Sequence, residues 1–395
     1  MPAVTKVIAY RMPASYPSIR KDLSEMATQT AAINPSPTEK KKFIRRIAPD
    51  HSQRIRFLVQ TVFVVLNAWL GLQFYLWVRY YERGGTGLHV ARPAGVEGWL
   101  PIAGLMNSKY FLATGHVPAI HPAAMFLFMA FLLMSLLVKK SFCSWLCPVG
   151  TFSERLWKLG RKIFRRSLRV HRWIDIPLRG LKYLLLGFFA VMIGMMSAAT
   201  LGEFMQTPYG LIADVKMLNF FRDMSTTAAV VILALILLSI LIENFWCRYL
   251  CPYGALMGLA SLLSPLKIRR NPDACIDCAK CAHACPANLP VDRLVTVRSV
   301  ECAACMACVA ACPAQDALQL SLAPNRVTPG QPASSPLPWY RRAVGALAIT
   351  AILATIFFGF VLYARATNHW QTNLPNAVYQ ELVPHANEAS HPGLE

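Results

Sequence analysis

Five apolar runs divide the chain, at 57–80, 122–138, 181–201, 225–246 and 343–363. A helix rising about 1.5 Å per residue needs about 20 apolar residues to cross roughly 30 Å of hydrocarbon. Each run therefore predicts a transmembrane helix, the second at the short end of the range. Trp69, Tyr75, Trp77 and Tyr80 gather toward one end of the first run, where an interfacial aromatic belt would sit. The polar stretches set the remaining boundaries. Residues 1–55, rich in Pro, Ser, Thr and Lys, read as a disordered cytoplasmic tail. Residues 56–264 read as a four-helix membrane core and 265–322 as a small soluble domain. A Pro- and Ser-rich linker at 323–341 leads to the fifth helix at 342–364 and a periplasmic tail at 365–395. The connection 81–121 holds one amphipathic piece, at 99–106.

Composition strengthens this picture. The 395 residues could form two or three soluble domains, but 55% hydrophobic against 15% charged residues indicates a polytopic membrane protein. A formal charge of +20 would suit nucleic acid, yet the basic residues flank the apolar runs, which argues for topology and against that partner. With five crossings, 33 of the 40 Lys and Arg residues share one side with the N-terminal tail, the 139–182 segment and the 247–342 segment. Positive charge stays inside. The expected protein is multi-pass in the bacterial inner membrane, with the N-terminus and residues 265–322 cytoplasmic and the C-terminus periplasmic. Its basic run at 155–182 would meet anionic lipid headgroups.

The cysteines carry the chemistry, and all twelve fall into four motifs. Cys275-x2-Cys278-x2-Cys281-x3-Cys285-Pro286 repeats as Cys302-x2-Cys305-x2-Cys308-x3-Cys312-Pro313. Soft thiolates at this spacing suit iron–sulfur cubes, and the fourth cysteine of each set normally serves the other cluster. On that rule Cys275, Cys278, Cys281 and Cys312 bind one [4Fe-4S] cluster, and Cys302, Cys305, Cys308 and Cys285 the second. Zinc sites favour two separated cysteine pairs, and disulfides need an oxidising compartment, so both alternatives fit less well. The soluble domain is thus expected to be a small α+β 2[4Fe-4S] ferredoxin-like fold.

Cys143-Ser-Trp-Leu-Cys147-Pro148 and Cys247-Arg-Tyr-Leu-Cys251-Pro252 form a second repeated pair at the inner membrane edge. The proline is placed to open a helix whose amides favour a thiolate. If the two units are helical hairpins about a pseudo-twofold axis, these four cysteines converge on an additional Fe–S or redox site. A turn-shaping or dithiol role is the alternative. None of the nine histidines lies in a predicted span, which disfavours haem between helices, and no phosphate-binding loop or dinucleotide fingerprint is present. His116, His121, Glu97, Glu203, Asp214 and Lys216 are candidates for a quinol site at the outer boundary, with solvated loop residues as the plainer reading.

Paired hairpins ending in Cys-x3-Cys-Pro, followed by the doubled ferredoxin motif, resemble the membrane polyferredoxins of the NapH/NosR/FixG type over about residues 55–320. The resemblance implies an inner-membrane electron carrier, rather than a stand-alone enzyme, linking the quinone pool or a cytoplasmic donor to a respiratory, periplasmic reductase. NosR-type members carry a domain ahead of this core and FixG-type members one after it. NapH-type members end with the ferredoxin stretch, so the member stays open. The alternatives are a maturation or regulatory factor using its clusters for redox sensing or metal reduction, and a structural membrane anchor.

Overall fold

The computed structural model describes residues 44–46, 49–165, 170–322 and 343–389, all in a unit that begins at Ile44. The expected tail over residues 1–43 and the linker at 323–341 lie outside the described residues. Among the described residues three helices are long and apolar enough to cross a membrane: α1 (Ser52–Glu82), the helix Trp173–Met195 and Ala346–Ala366. On α1, Leu58, Val62, Val65 and Trp69 are exposed while Ser52, Arg56 and Gln60 are buried. This inside-out distribution is that of a helix solvated by lipid.

After a 3₁₀ turn at Ala94–Trp99 come α2 (Pro101–Thr114) and α3 (Pro122–Leu137). The piece expected to be amphipathic at 99–106 is the start of α2, which packs on α3. Helix α3 is the centre of the bundle. Ala123, Met125, Phe131 and Met134 are buried in one core with Ile349 and Leu353 of the last apolar helix. Its 16 residues span roughly 24 Å at 1.5 Å each, short of a full hydrocarbon crossing.

Helix α4 (Pro148–Phe164) is basic on one side and presents Phe152, Leu159 and Ile163 outward. Gly160 lets it touch the helix Thr226–Leu241, because a β-carbon there would lie 1.9 Å from the Ile240 carbonyl oxygen. Helix α5 (Arg172–Met195) starts nine residues before the expected third span and ends six residues early. The backbone turns extended at Met196, and Ser197 caps α6 (Ala198–Gln206) by accepting from Thr200 N. Helices α7 (Ala213–Arg222) and α8 (Thr226–Leu241) meet at an 81° bend. Counting that pair as one span gives four candidate membrane helices. The expected fourth run, to 246, breaks earlier because Ile242 is extended and residues Trp246–Leu250 form a π turn.

Helix α9 (Pro252–Ala260) leads to the soluble domain, where β1 (Lys267–Arg270) pairs antiparallel with β2 (Leu318–Ser321), Lys267 opposite Ser321. Between them lie two one-turn helices, α10 (Lys280–His283) and α11 (Ala307–Ala310). Ile268, Leu289, Val291 and Leu320 fill the core. The expected tail boundary at residue 55 shifts, since Arg45 bridges to Ala314, Arg46 N donates to Pro313 O at 2.9 Å, and α1 already begins at Ser52. Helix α12 (Ala346–Ala366) then runs out, and the polar tail folds back as α13 (Asn376–Leu382), placing Tyr379 edge-on to Trp77 at 4.9 Å.

Candidate iron–sulfur sites and the outer ionic cluster

The 27-residue offset of the two ferredoxin motifs is written into the backbone. Asp277 and Ala279 have φ of 54° and 56°, and their counterparts Ala304 and Met306 have 47° and 57°. Left-handed non-glycine residues are costly and persist where the surroundings impose them. Here they place a tight turn between the first and third cysteines of each loop. The fourth cysteine of each set crosses over. Cys312 lies within electrostatic reach of Cys275 and Cys278, and Cys281 within reach of Cys312. Cys285 adjoins Cys302 and Cys305, and Cys308 adjoins all three. A cavity lined by Cys285, Cys302, Cys305 and Cys308 opens against Ile268 and Leu289. Burial pushes the Cys285 thiol up to about 12, so thiolates here require a cationic partner.

In the second repeated pair, Cys143 lies in the helical turn Ser141–Trp145 and Cys247 in the π turn. Cys147 and Cys251 are the N-caps of α4 and α9, which open at Pro148 and Pro252 as the motif leads one to expect. Gly254 N donates to Cys251 Sγ at 3.2 Å. All four thiols form one group, in which Cys247 interacts with Cys251, Cys147 and Cys143. Burial drives Cys143 to about 12 and Cys147 to about 11. Among the described residues no three His, Cys, Asp or Glu side chains are set for a single ion. A cube spreads its ligands over four corners and asks for a wider thiol set than one ion does, so each group suits a cluster by donor type.

The candidates for a quinol site divide. Glu97, His121 and Asp214 are buried together around Arg92, whose Nη2 lies 2.8 Å from Glu97 Oε1 and 2.6 Å from Asp214 Oδ2. His121 Nδ1 is 3.3 Å from Glu97 Oε1, and Thr372 Oγ1 donates to the same oxygen at 3.1 Å. Burial opposes both charges, but Arg92 and His121 hold the Glu97 carboxyl below its ordinary value, and Glu97 holds His121 above its own. This network pairs all three with one another or with Arg92, away from the surface. Lys216 is spent on the carbonyls of Ala386 and Ala389, while His116 and Glu203 stay exposed.

Comparison with known proteins decides the family. Over 336 residues, 85% of this chain and 91% of the relative, the sequence is 48% identical to YccM of Escherichia coli (strain K12), whose name assigns it to electron transport. The chain belongs to the membrane ferredoxin-type electron transport proteins. Within this family it is 29% identical over 190 residues to the ferredoxin-type protein NapH of Escherichia coli, covering 47% of this chain and 61% of NapH. It is 30% identical over 148 residues to the regulatory protein NosR of Pseudomonas aeruginosa, 36% of this chain and 20% of NosR. A 4Fe-4S binding domain model matches residues 120–167 and again 224–271, and a 4Fe-4S dicluster domain model matches 267–313. No solved structure matches the chain. Membrane iron–sulfur electron transfer is the family's shared chemistry.

Four residues of these groupings, Lys140, Lys182, Glu301 and Arg92, escaped the sequence. Lys140 and Lys182 are buried and converge on Glu301, at 3.8 Å and 2.5 Å. Arg92 organises the outer cluster. Lys139-Lys140 reads as an ordinary topogenic charge pair, which hides a buried role. Lys182 did carry a signal, being an ionisable residue inside an apolar helix.

Proposed function

We propose that the chain is a one-electron carrier of the bacterial inner membrane, passing electrons between the quinone pool or a cytoplasmic donor and a respiratory reductase on the periplasmic side. In this reading Cys275, Cys278, Cys281 and Cys312 hold one [4Fe-4S] cluster, and Cys302, Cys305, Cys308 and Cys285 a second. Cys143, Cys147, Cys247 and Cys251 hold a further iron–sulfur centre. Bound clusters supply the one-electron chemistry. The chain's own residues supply ligands, spacing and a dry, charged surrounding.

One contact carries the reading. Ser144 Oγ donates to Ala303 O at 2.6 Å and Trp145 Nε1 to Ala304 O at 3.2 Å. The loop between Cys143 and Cys147 is thereby bonded to the loop between Cys302 and Cys305, leaving a short route through bonds between the two thiol groups. Gln53 Nε2 and Arg46 Nη1 brace the same domain through Cys305 O at 2.9 Å and Val309 O at 3.0 Å. A passive anchor has no use for such a junction. The charge imbalance of 33 to 7 supports a cytoplasmic ferredoxin domain. In the five-span, two-hairpin arrangement, α3 and α8 are the returning helices, each ending at a cysteine pair. With Glu97, His121 and Asp214 closed off, His116 and Glu203 remain as proton acceptors for a quinol.

The test is reduction in membrane vesicles carrying the full chain. A menaquinol or ubiquinol analogue, or reduced ferredoxin as a cytoplasmic-type donor, should bleach the iron–sulfur absorption within seconds. Clusters that stay oxidised with every donor would contradict the carrier reading.

A further inference from the structure

Lys140 stands where the two thiol groups meet. Its side chain is buried immediately before the turn that carries Cys143. A β-carbon on Gly254 would lie 3.5 Å from Lys140 Nζ and 3.5 Å from Cys251 Sγ, so ammonium and thiol border the same small space. Cys143 and Cys247 also lie within reach of this charge. On its other side Nζ is 3.8 Å from Glu301 Oε2, and Glu301 directly precedes Cys302. One cavity is lined jointly by Lys140, Cys143, Cys247, Glu301 and Cys305. Lys182 takes the short contact to Glu301, at 2.5 Å. Two ammonium groups therefore share one carboxylate, and the surplus positive charge falls to Lys140, on the side of the four membrane-edge thiols.

We propose that Lys140, steadied by Glu301, is the positioning residue that raises the reduction potential of the membrane-edge centre. This rests on the reading that Cys143, Cys147, Cys247 and Cys251 ligate an iron–sulfur centre. Four thiolates make such a centre anionic, and each electron accepted adds negative charge. A fixed cation in a low-dielectric setting stabilises the reduced form more than the oxidised one. Without it, four buried thiolates would pull the centre's potential away from that of the neighbouring ferredoxin set. Glu301 opposes the effect and links it to Cys302, because it is shared between the lysines and the second set's loop.

The experiment is a redox titration of the full detergent-solubilised chain, followed by electron paramagnetic resonance with iron and sulfide counted on each sample. Lys140→Gln should keep its iron while the reduced-to-oxidised ratio of the membrane-edge signal, at fixed potential, falls about tenfold, equivalent to about 59 mV for a one-electron couple. Lys140→Arg should restore the ratio. Glu301→Gln keeps the ammonium and removes its counter-charge, so the ratio should rise; this variant decides the matter if Lys140→Gln fails to assemble. A membrane-edge signal that is present but unmoved in Glu301→Gln, or in an iron-replete Lys140→Gln, overturns the proposal. No such signal in the wild type, together with equal iron in wild type and Cys143→Ser, overturns the underlying reading instead.

Discussion

Gly150 and Gly254 hold equivalent places in the two Cys-x3-Cys-Pro-x-Gly repeats, but their surroundings differ. A β-carbon on Gly150 would lie 2.1 Å from the Cys143 carbonyl oxygen, whereas on Gly254 nothing comes nearer than 3.5 Å. Backbone cannot yield as a flexible side chain does, so Gly150→Ala must push the Cys143 turn aside. Iron analysis of the purified variants should find Gly150→Ala depleted by about one centre and Gly254→Ala at the wild-type level. Equal iron in the two would contradict this geometry. At this scale the cysteine motifs were legible, because their spacing alone marks the stretches that the 4Fe-4S models match. The left-handed backbone at Ala304 and Met306 was not, since neither residue type advertises φ > 0. Nor were Arg92 and Lys140, whose burial depends on partners distant in sequence.

Helix α1 is joined to α4 by Arg56, which donates to Glu154 Oε2 at 2.9 Å and Oε1 at 2.5 Å. Burial works against the Glu154 carboxylate, but Arg56 and Lys158 more than offset it and hold the group at about 2. With the folded value depressed, this contribution is complete above the ordinary carboxylate range near 4.5 and is lost as pH falls through about 2. Glu154→Gln leaves a buried guanidinium unpaired and should cost about 3–5 kcal/mol, read as a lower thermal midpoint in detergent. Replacing Arg56 and Glu154 together by Met and Leu should recover most of that loss. A single variant as stable as the wild type would show that the pair is not holding the helices together. Apolar run length revealed where α1, α5, α8 and α12 lie. It missed the break at Met196, where Ala198 and Ala199 follow Ser197 with little drop in hydropathy while the backbone turns extended, and it ran through Glu243 and Asn244, which mark the one at Ile242.

Across the whole chain, polar networks close both ends of the central helix α3. At one end Arg92, Glu97, His121, Asp214 and Thr372 tie together the connections at 81–121 and 202–224 and the C-terminal segment. At the other, Lys139 Nζ donates to Ser299 O at 3.3 Å and Ser144 bonds Ala303, joining the bundle to the ferredoxin loops. The doubled motif marked the stretch that the dicluster model matches, yet its docking was hidden because Ser144, Trp145 and Glu301 carry no motif of their own. The central claim is that this docked arrangement holds iron–sulfur centres in both thiol groups. Iron and acid-labile sulfide counted per purified full-length chain test it most directly. The account predicts about twelve irons with matching sulfide if the membrane-edge centre is also a cube, falling by about four in Cys143→Ser and by about four in Cys302→Ser. Iron that stays constant in Cys143→Ser, or a preparation containing zinc and no labile sulfide, would contradict it.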